Sequence, residues 1–234
     1  MEALASHPQK SVPRELKTVA YVTHRTNYGE ADRIVNFITP EGKVAAIAKG
    51  VRRPKSKLAG GVEMLTRAEI MVHFGKSELG VVTSAKMLKY HGGILKDYGR
   101  MELATAILKR INAVSENSDA PEYYKVVDQC LGALESGASL SVVEAWCELN
   151  VMRALGEEPN LYRNAEGELL RVDTRYDWNE YDGVMTERPG GEYGTDEIKL
   201  MRLMMMTDLS VVMRVKGAEA KMVKIMKLVK SVVK

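Results

Sequence analysis

The chain has 234 residues, 45% of them hydrophobic and 28% charged, a globular composition that excludes wholesale disorder and fibrous structure. No run approaches the roughly 18 apolar residues of a membrane-spanning helix. Residues 1–13 read as a tail and lack the basic start and apolar run of a secretory signal. Two cysteines, Cys130 and Cys147, supply neither a disulfide framework nor a four-cysteine zinc site, so a reducing, cytoplasmic setting is expected. The net charge of +3 hides a strong asymmetry. Between Arg14 and His91 fourteen lysines and arginines face seven acids. Between Glu158 and Glu197 eleven acids face four arginines, and from Ile198 onward nine basic residues face two acids. Basic ends around an acidic segment point to binding of a polyanion.

In chain order, residues 17–24, 33–39 and 43–48 are short β-branched runs separated by Arg25–Gly29 and Pro40–Gly42, which carry turn chemistry. In the run 68–74, Ala68, Ile70, Val72 and Phe74 alternate with Glu69, Met71 and His73, the pattern of a half-buried strand. Gly75–Gly80 turns the chain into a fifth strand near 79–88. Five short strands in about 75 residues suit a small closed barrel.

Past Gly92-Gly93 the period becomes helical. Ile94, Tyr98, Met101, Ala104, Leu108 and Ile111 share one stripe. Asp119-Ala-Pro-Glu122 reads as a cap for a second helix through Leu134, and Ser141-Val-Val-Glu144 as a capping box for a third that stops at Gly156. Residues 158–194 lose periodicity and form a small acidic insertion, for which packing of Tyr162, Tyr176, Trp178 and Tyr181 is expected. A buried helix over 198–209 follows, with Met204–Met206 as core filling. The last helix, 218–233, turns Met222, Ile225, Val229 and Val232 inward.

The strongest chemical feature is the stretch 48–58, which carries Lys49, Arg52, Arg53, Lys55 and Lys57 without one acid. Cationic donors along a backbone track are what phosphate recognition requires. Arg33 and Lys43 on the flanking runs join this candidate set, and Tyr28, in a turn, is the candidate base-stacking ring. Phe37 and Phe74 read as core. A solvated loop whose charges only aid solubility is the competing reading.

The order Tyr28-Gly-Glu-Ala-Asp32, a strand ending in Thr39, Glu41-Gly-Lys43 and then Ala48–Leu58 (AKGVRRPKSKL) resembles the RecO family of bacterial recombination mediators. LNVMRALGEEPNL (149–161) is similar to the corner preceding that family's insertion. The resemblance implies an OB-type barrel, binding and annealing of single-stranded DNA, and help in loading the recombinase onto DNA coated by single-strand-binding protein. It also implies RecR and the tail of single-strand-binding protein as partners, and a nucleoid-associated place in the cell. Many members hold zinc with four cysteines in the insertion. Residues 158–194 contain none here, so no metal or other cofactor is expected.

The expected fold is therefore α+β and multidomain, with a five-stranded OB-type barrel over residues 1–92 and a helical domain over 93–234. No Walker A, dinucleotide-binding or nucleophile-elbow motif is present, and a non-enzymatic role is expected. Arg214, Lys216, Lys221, Lys224 and Lys227 form a candidate partner surface for an acidic tail. An RNA-binding barrel and a scaffold using the basic C-terminal helix are the alternatives.

Overall fold

The β-branched runs form five strands: β1 (Glu15–Tyr28), β2 (Asp32–Thr39), β3 (Gly42–Ala48), β4 (Thr66–His73) and β5 (Gly80–Tyr90). In this computed structural model, which describes residues 14–77, 79–118 and 120–232, they close into a barrel in the order β1-β2-β3-β5-β4. All pairs are antiparallel except β3 with β5, which closes the barrel through Ala46–Gly80 and Ile47–Val81. This is an OB-type barrel. Ala20, Val22, Val35, Phe37, Ala46, Ala68, Ile70 and Val72 fill its interior, as the alternation at 68–74 requires. The tail 1–13, Glu78 in the β4–β5 turn and the Asp119 cap lie outside the described residues.

The second half packs α1 (Tyr98–Val114), α2 (Glu122–Glu135) and α3 (Leu140–Leu155) with α4 (Thr195–Met206), the short α5 (Leu209–Val212) and α6 (Ala218–Val232). Between α3 and α4 the acidic insertion folds as a three-stranded sheet, β6 (Asn160–Asn164), β7 (Tyr176–Asn179) and β8 (Val184–Glu187), in the order β6-β8-β7. Gly156 ends α3 in the left-handed region at φ +73, where a side chain would be strained.

Several local expectations are corrected. Tyr98 and Met101 lie on the surface, because only the later turns of α1 meet other helices. Ser141 is not a cap: α3 begins at Leu140, and the Ser139 hydroxyl donates instead to Glu219 on α6. In the insertion Tyr176 is buried and Trp178 half-buried, but Tyr181 is exposed and Tyr162 lies on the surface under the Arg202 guanidinium. Met204 and Met205 are core, whereas Met206 at the end of α4 is exposed.

The barrel and the helices share one seam. Tyr21 and Ile38 point out of the barrel and belong to the helical core, while their neighbours Ala20, Val22 and Phe37 point in. The Tyr21 hydroxyl donates to Asp128 on α2 at 2.8 Å and sits 3.2 Å from His91 Nε2. Arg67 on β4 donates to the Tyr124 hydroxyl at 3.0 Å. Asn112 on α1 accepts from Thr23 of β1 and Asn36 of β2 through one carbonyl oxygen. His91 is 1% exposed, its Nδ1 has no hydrogen-bond partner, and it lies 3.8 Å from the Glu135 carboxylate.

Burial, aided by the Lys89 charge, pushes the His91 pKa below its ordinary 6.5 against the opposing pull of Glu135 and Asp128. The unfolded chain therefore takes up a proton that the native state refuses, and stability present above the unfolded value is lost as pH falls below it. The thermal midpoint is expected to drop between about pH 7 and about pH 5.5, and His91→Gln to flatten that drop. Parallel melting curves of the two proteins across this range check it, since identical slopes would assign the pH dependence to other groups.

Candidate nucleic-acid interface

The basic stretch leaves β3 as a loop whose backbone is held and whose charges are not. Gly50 takes the left-handed conformation, φ +62, that reverses the chain, and its amide donates to Asp32 Oδ1 at 2.6 Å. The Arg52 amide donates to the Ala31 carbonyl at 2.9 Å, the Arg53 amide to Gly50 and the Ser56 amide to Arg53. Val51, 3% exposed, plugs the barrel core. The loop is thus fastened at its base to the β1–β2 turn, next to Tyr28, which is 54% exposed. Lys49, Arg52, Arg53, Lys55 and Lys57 all project into solvent, and among the described residues none has an ion-pair partner. Unpaired cations on a fixed track can engage a phosphate chain without first breaking internal bonds or ordering the loop.

Two other candidates are placed differently. Arg33 is half-buried and pairs with Glu63 at 3.0 Å, and Glu63 also holds Arg25. The segment after the basic stretch curls back and offsets one of these two positive charges, a long-range contact that a local charge count does not show. Lys43 points into the seam, 3.4 Å from both Glu116 and the Asn112 carbonyl on α1.

The final helix also departs from the expectation of a free basic face. Lys221 pairs with Asp196 at 3.3 Å and lies 3.8 Å from Glu197, Lys224 lies 3.9 Å from Glu197, and Lys227 pairs with Glu192 at 2.6 Å. The acids come from the end of the insertion and the first turn of α4, where Glu197 also accepts from the Gly194 amide. Against the opposing effect of burial, the amides of Gly194 and of Glu197 itself, and then Lys224 and Lys221, hold the Glu197 carboxyl below its usual range. Arg214 and Lys216 remain exposed.

A groove that the sequence did not disclose runs along α2. One cleft, of about 290 Å³, is walled by Trp146, Ala154, Met205 and Met206, with Lys125 and Arg153 at its rim. A second, of about 750 Å³, is lined by Ala133, Leu209, Met213 and Arg214. The Lys125–Asp208 ion pair, 2.8 Å, borders both. Trp146 and Asn150 donate to the carbonyls of Thr207 and Met204, and Arg153 donates to that of Met205, so α3 satisfies the end of α4 and shapes the cleft. Four helices, two of them far from the others in sequence, build this groove, which is why no local pattern reveals it.

Among the described residues no group of three or more His, Cys, Asp or Glu is placed to hold a metal ion. Asp177 in the acidic insertion instead accepts from the Glu192 amide at 2.8 Å and pairs with Arg188 at 2.5 Å, which hold its carboxyl below the usual range. Cys130 and Cys147 are both buried, and contact with Cys130 together with burial pushes the Cys147 thiol well up. No helix is long and apolar enough to cross a membrane.

The model of a family described as recombination protein O, N terminal, matches residues 14–91, and that of its C terminal matches residues 95–234. Similar curated proteins carry the name DNA repair protein RecO. One from Roseiflexus sp. (strain RS-1) is 31% identical over 153 residues, covering 65% of this chain and 54% of that protein. One from Bifidobacterium longum (strain NCC 2705) is 34% identical over 140 residues, 57% of this chain and 56% of that protein. One from Dehalococcoides mccartyi (strain CBDB1) is 26% identical over 212 residues, 87% and 83% respectively. The first two alignments span about half the length of those relatives.

The Asp32 carboxylate anchors the loop through a charge-assisted hydrogen bond of the kind worth roughly 1.5–3 kcal/mol. Asp32→Ala is expected to keep the barrel folded while raising amide hydrogen exchange selectively at Gly50 and Arg52. Unchanged exchange at those two amides would show that Val51 and the Arg52–Ala31 bond hold the loop without Asp32.

Proposed function

The chain belongs to the RecO family of DNA repair proteins, and from that premise we propose that it binds and anneals single-stranded DNA without catalysing a reaction. It thereby helps load a recombinase onto DNA coated by single-strand-binding protein. The observation that carries the reading is the loop of five exposed, unpaired cations fastened to the mouth of an OB-type barrel beside Tyr28. Barrels of this type bind oligonucleotides on the face of strands 2 and 3 and through the β1–β2 and β4–β5 loops. The basic loop leaves β3 and is fastened to the β1–β2 turn, and charge contacts to a backbone give affinity with little sequence preference. Arg33 and Lys43 serve as supporting charges, since both are engaged within the protein. The proposed setting is the bacterial cytoplasm, and the proposed chemistry needs no cofactor.

Two protein partners complete the proposal, RecR and the acidic tail of single-strand-binding protein. For the tail, the groove along α2 suits the chemistry better than α6, whose lysines already hold Asp196, Glu197 and Glu192. The Trp146–Met205–Met206 cleft is an apolar notch for the end of the tail, and the exposed Arg214 flanks the path of its carboxylates.

Titration of a labelled single strand at several salt concentrations tests the DNA reading. Log affinity is expected to fall with log salt by about 0.7 per phosphate contacted, and the double substitution of Arg52 and Arg53 by Ala to weaken binding and flatten the slope by roughly one to two contacts. Unchanged slope and affinity would reduce the loop to a solvated surface.

For the tail, Arg214→Glu and Met206→Asp are each expected to weaken capture of an acidic peptide with an apolar C-terminus several-fold at low salt. The pair Lys224→Glu with Lys227→Glu is expected to matter less. Fluorescence anisotropy of the peptide ranks them, and the reverse order would return the site to α6.

A further inference from the structure

Strands β3 and β4 alternate between buried and more accessible positions along their length, but the end of β5 does not. There Lys86, Met87, Leu88, Lys89 and Tyr90 are all exposed, on both faces of the strand. The following 3-10 turn, Gly92–Lys96, and the first residue of α1 continue this surface with Leu95, Lys96 and Tyr98, the last 73% exposed. Apolar groups on both faces of one strand end contribute nothing to a core. A patch of aromatic rings and cations of this kind is a binding surface.

Its place in the fold ties it to the basic loop. Residues Ala59–Val62, a 3-10 turn that follows the loop directly, lie on β5: Gly61 is so close that an added Cβ would sit 2.6 Å from the Ala85 carbonyl, and one on Gly60 would sit 3.3 Å from Met87 Cε. No more than about 11 Å of chain separates Lys57 from the contact with Met87. The Tyr90 ring in turn rests on Gly92, whose missing side chain leaves it room.

Along this stretch of chain the charge is mainly positive, although the Glu135 carboxylate of α2 accepts from the Gly93 amide at 3.1 Å beside it. Between Lys86 and Arg100 four basic residues face the single acid Asp97, whose carboxylate is occupied by the Arg100 amide at the start of α1. Glu69, paired in register with Lys86 across the strands, is taken by Lys17 at 3.5 Å. Among the described residues Lys86, Lys89 and Lys96 have no ion-pair partner.

We propose that single-stranded nucleic acid bound at the basic loop continues onto this end of β5, where Lys86, Lys89 and Lys96 meet phosphates and Tyr90 and Tyr98 stack on bases. The inference rests on the reading of residues 49–57 as the primary single-strand site and lengthens that site toward the helices. Rings with alternating cations match a flexible strand, whose bases offer π-faces and whose backbone offers evenly spaced charge.

The test uses the full chain and two labelled oligothymidylates, of about 6 and about 20 nucleotides, one near the lower end of and one beyond the roughly 4–16 that one OB fold covers. Tyr90→Ala with Tyr98→Ala is expected to weaken binding of the long strand at least about five-fold per stack lost and to leave the short strand nearly unchanged. Tyr90→Phe, which keeps the ring, is expected to bind the long strand as the unsubstituted protein does. Lys89→Ala with Lys96→Ala is expected to lower the salt slope for the long strand by about 1.4 and not that for the short one. Equal loss for both lengths, or no loss in variants with an unchanged melting temperature, would overturn the extension while Arg52 and Arg53 substitutions still weaken both strands. If those arginine substitutions weaken neither strand, the underlying reading of the loop fails as well.

Discussion

A strand buried on both faces is the constraint on which the rest of this structure depends. From Ala20 to Thr23, β1 is inaccessible on either side: Ala20 and Val22 fill the barrel while Tyr21 carries its ring into the helical core. Its hydroxyl must then find a partner away from water, and Asp128 on α2 supplies it. Burial and the Asp128 bond hold that phenol protonated, so the Tyr21 hydroxyl acts as a donor at any physiological pH. Removing the helices would expose Tyr21 and Ile38 together with the polar set they shelter, so the barrel and the helices form one folding problem.

That arrangement determines which surface is left for binding. The seam occupies the flank of β1, β2 and β4 and consumes Lys43, Arg67 and the polar edge of α1. The β1–β2 turn, the basic loop and the end of β5 remain open. Asp32 and Val51 hold the loop from below, so its ordering is achieved in folding, and five like charges can sit close together because all are exposed, where water and salt screen their repulsion.

The opposite solution is used at α6. The acidic insertion folds back so that Glu192, Asp196 and Glu197 meet Lys227, Lys221 and Lys224, and two segments of opposite sign cancel. Their pairs are largely solvent-exposed and contribute little stability individually. Each of these three lysines thus has an acid beside it, in contrast to the cations of the barrel loop, which have no ion-pair partner among the described residues.

Strand and helix identity, the barrel, and the basic loop as the main charged feature were legible in the sequence, because each is a local pattern: period-2 alternation at 68–74, three- and four-residue spacing after residue 92, and an acid-free run at 49–57. Local pattern also placed Gly156 at a helix end and Cys130 and Cys147 in the interior. Tertiary structure alone decided which of the charges are free. Arg33, Lys43, Lys221, Lys224 and Lys227 look like Lys49 and Arg52 in a list, yet each meets an acid 25 to 73 residues away or on another element. The same holds for Ser141, Tyr98 and Met206, whose roles depend on what packs against them, and for the α2 groove, assembled from four helices. Periodicity reports which face of an element is apolar. It carries no information about which distant segment arrives to cover it.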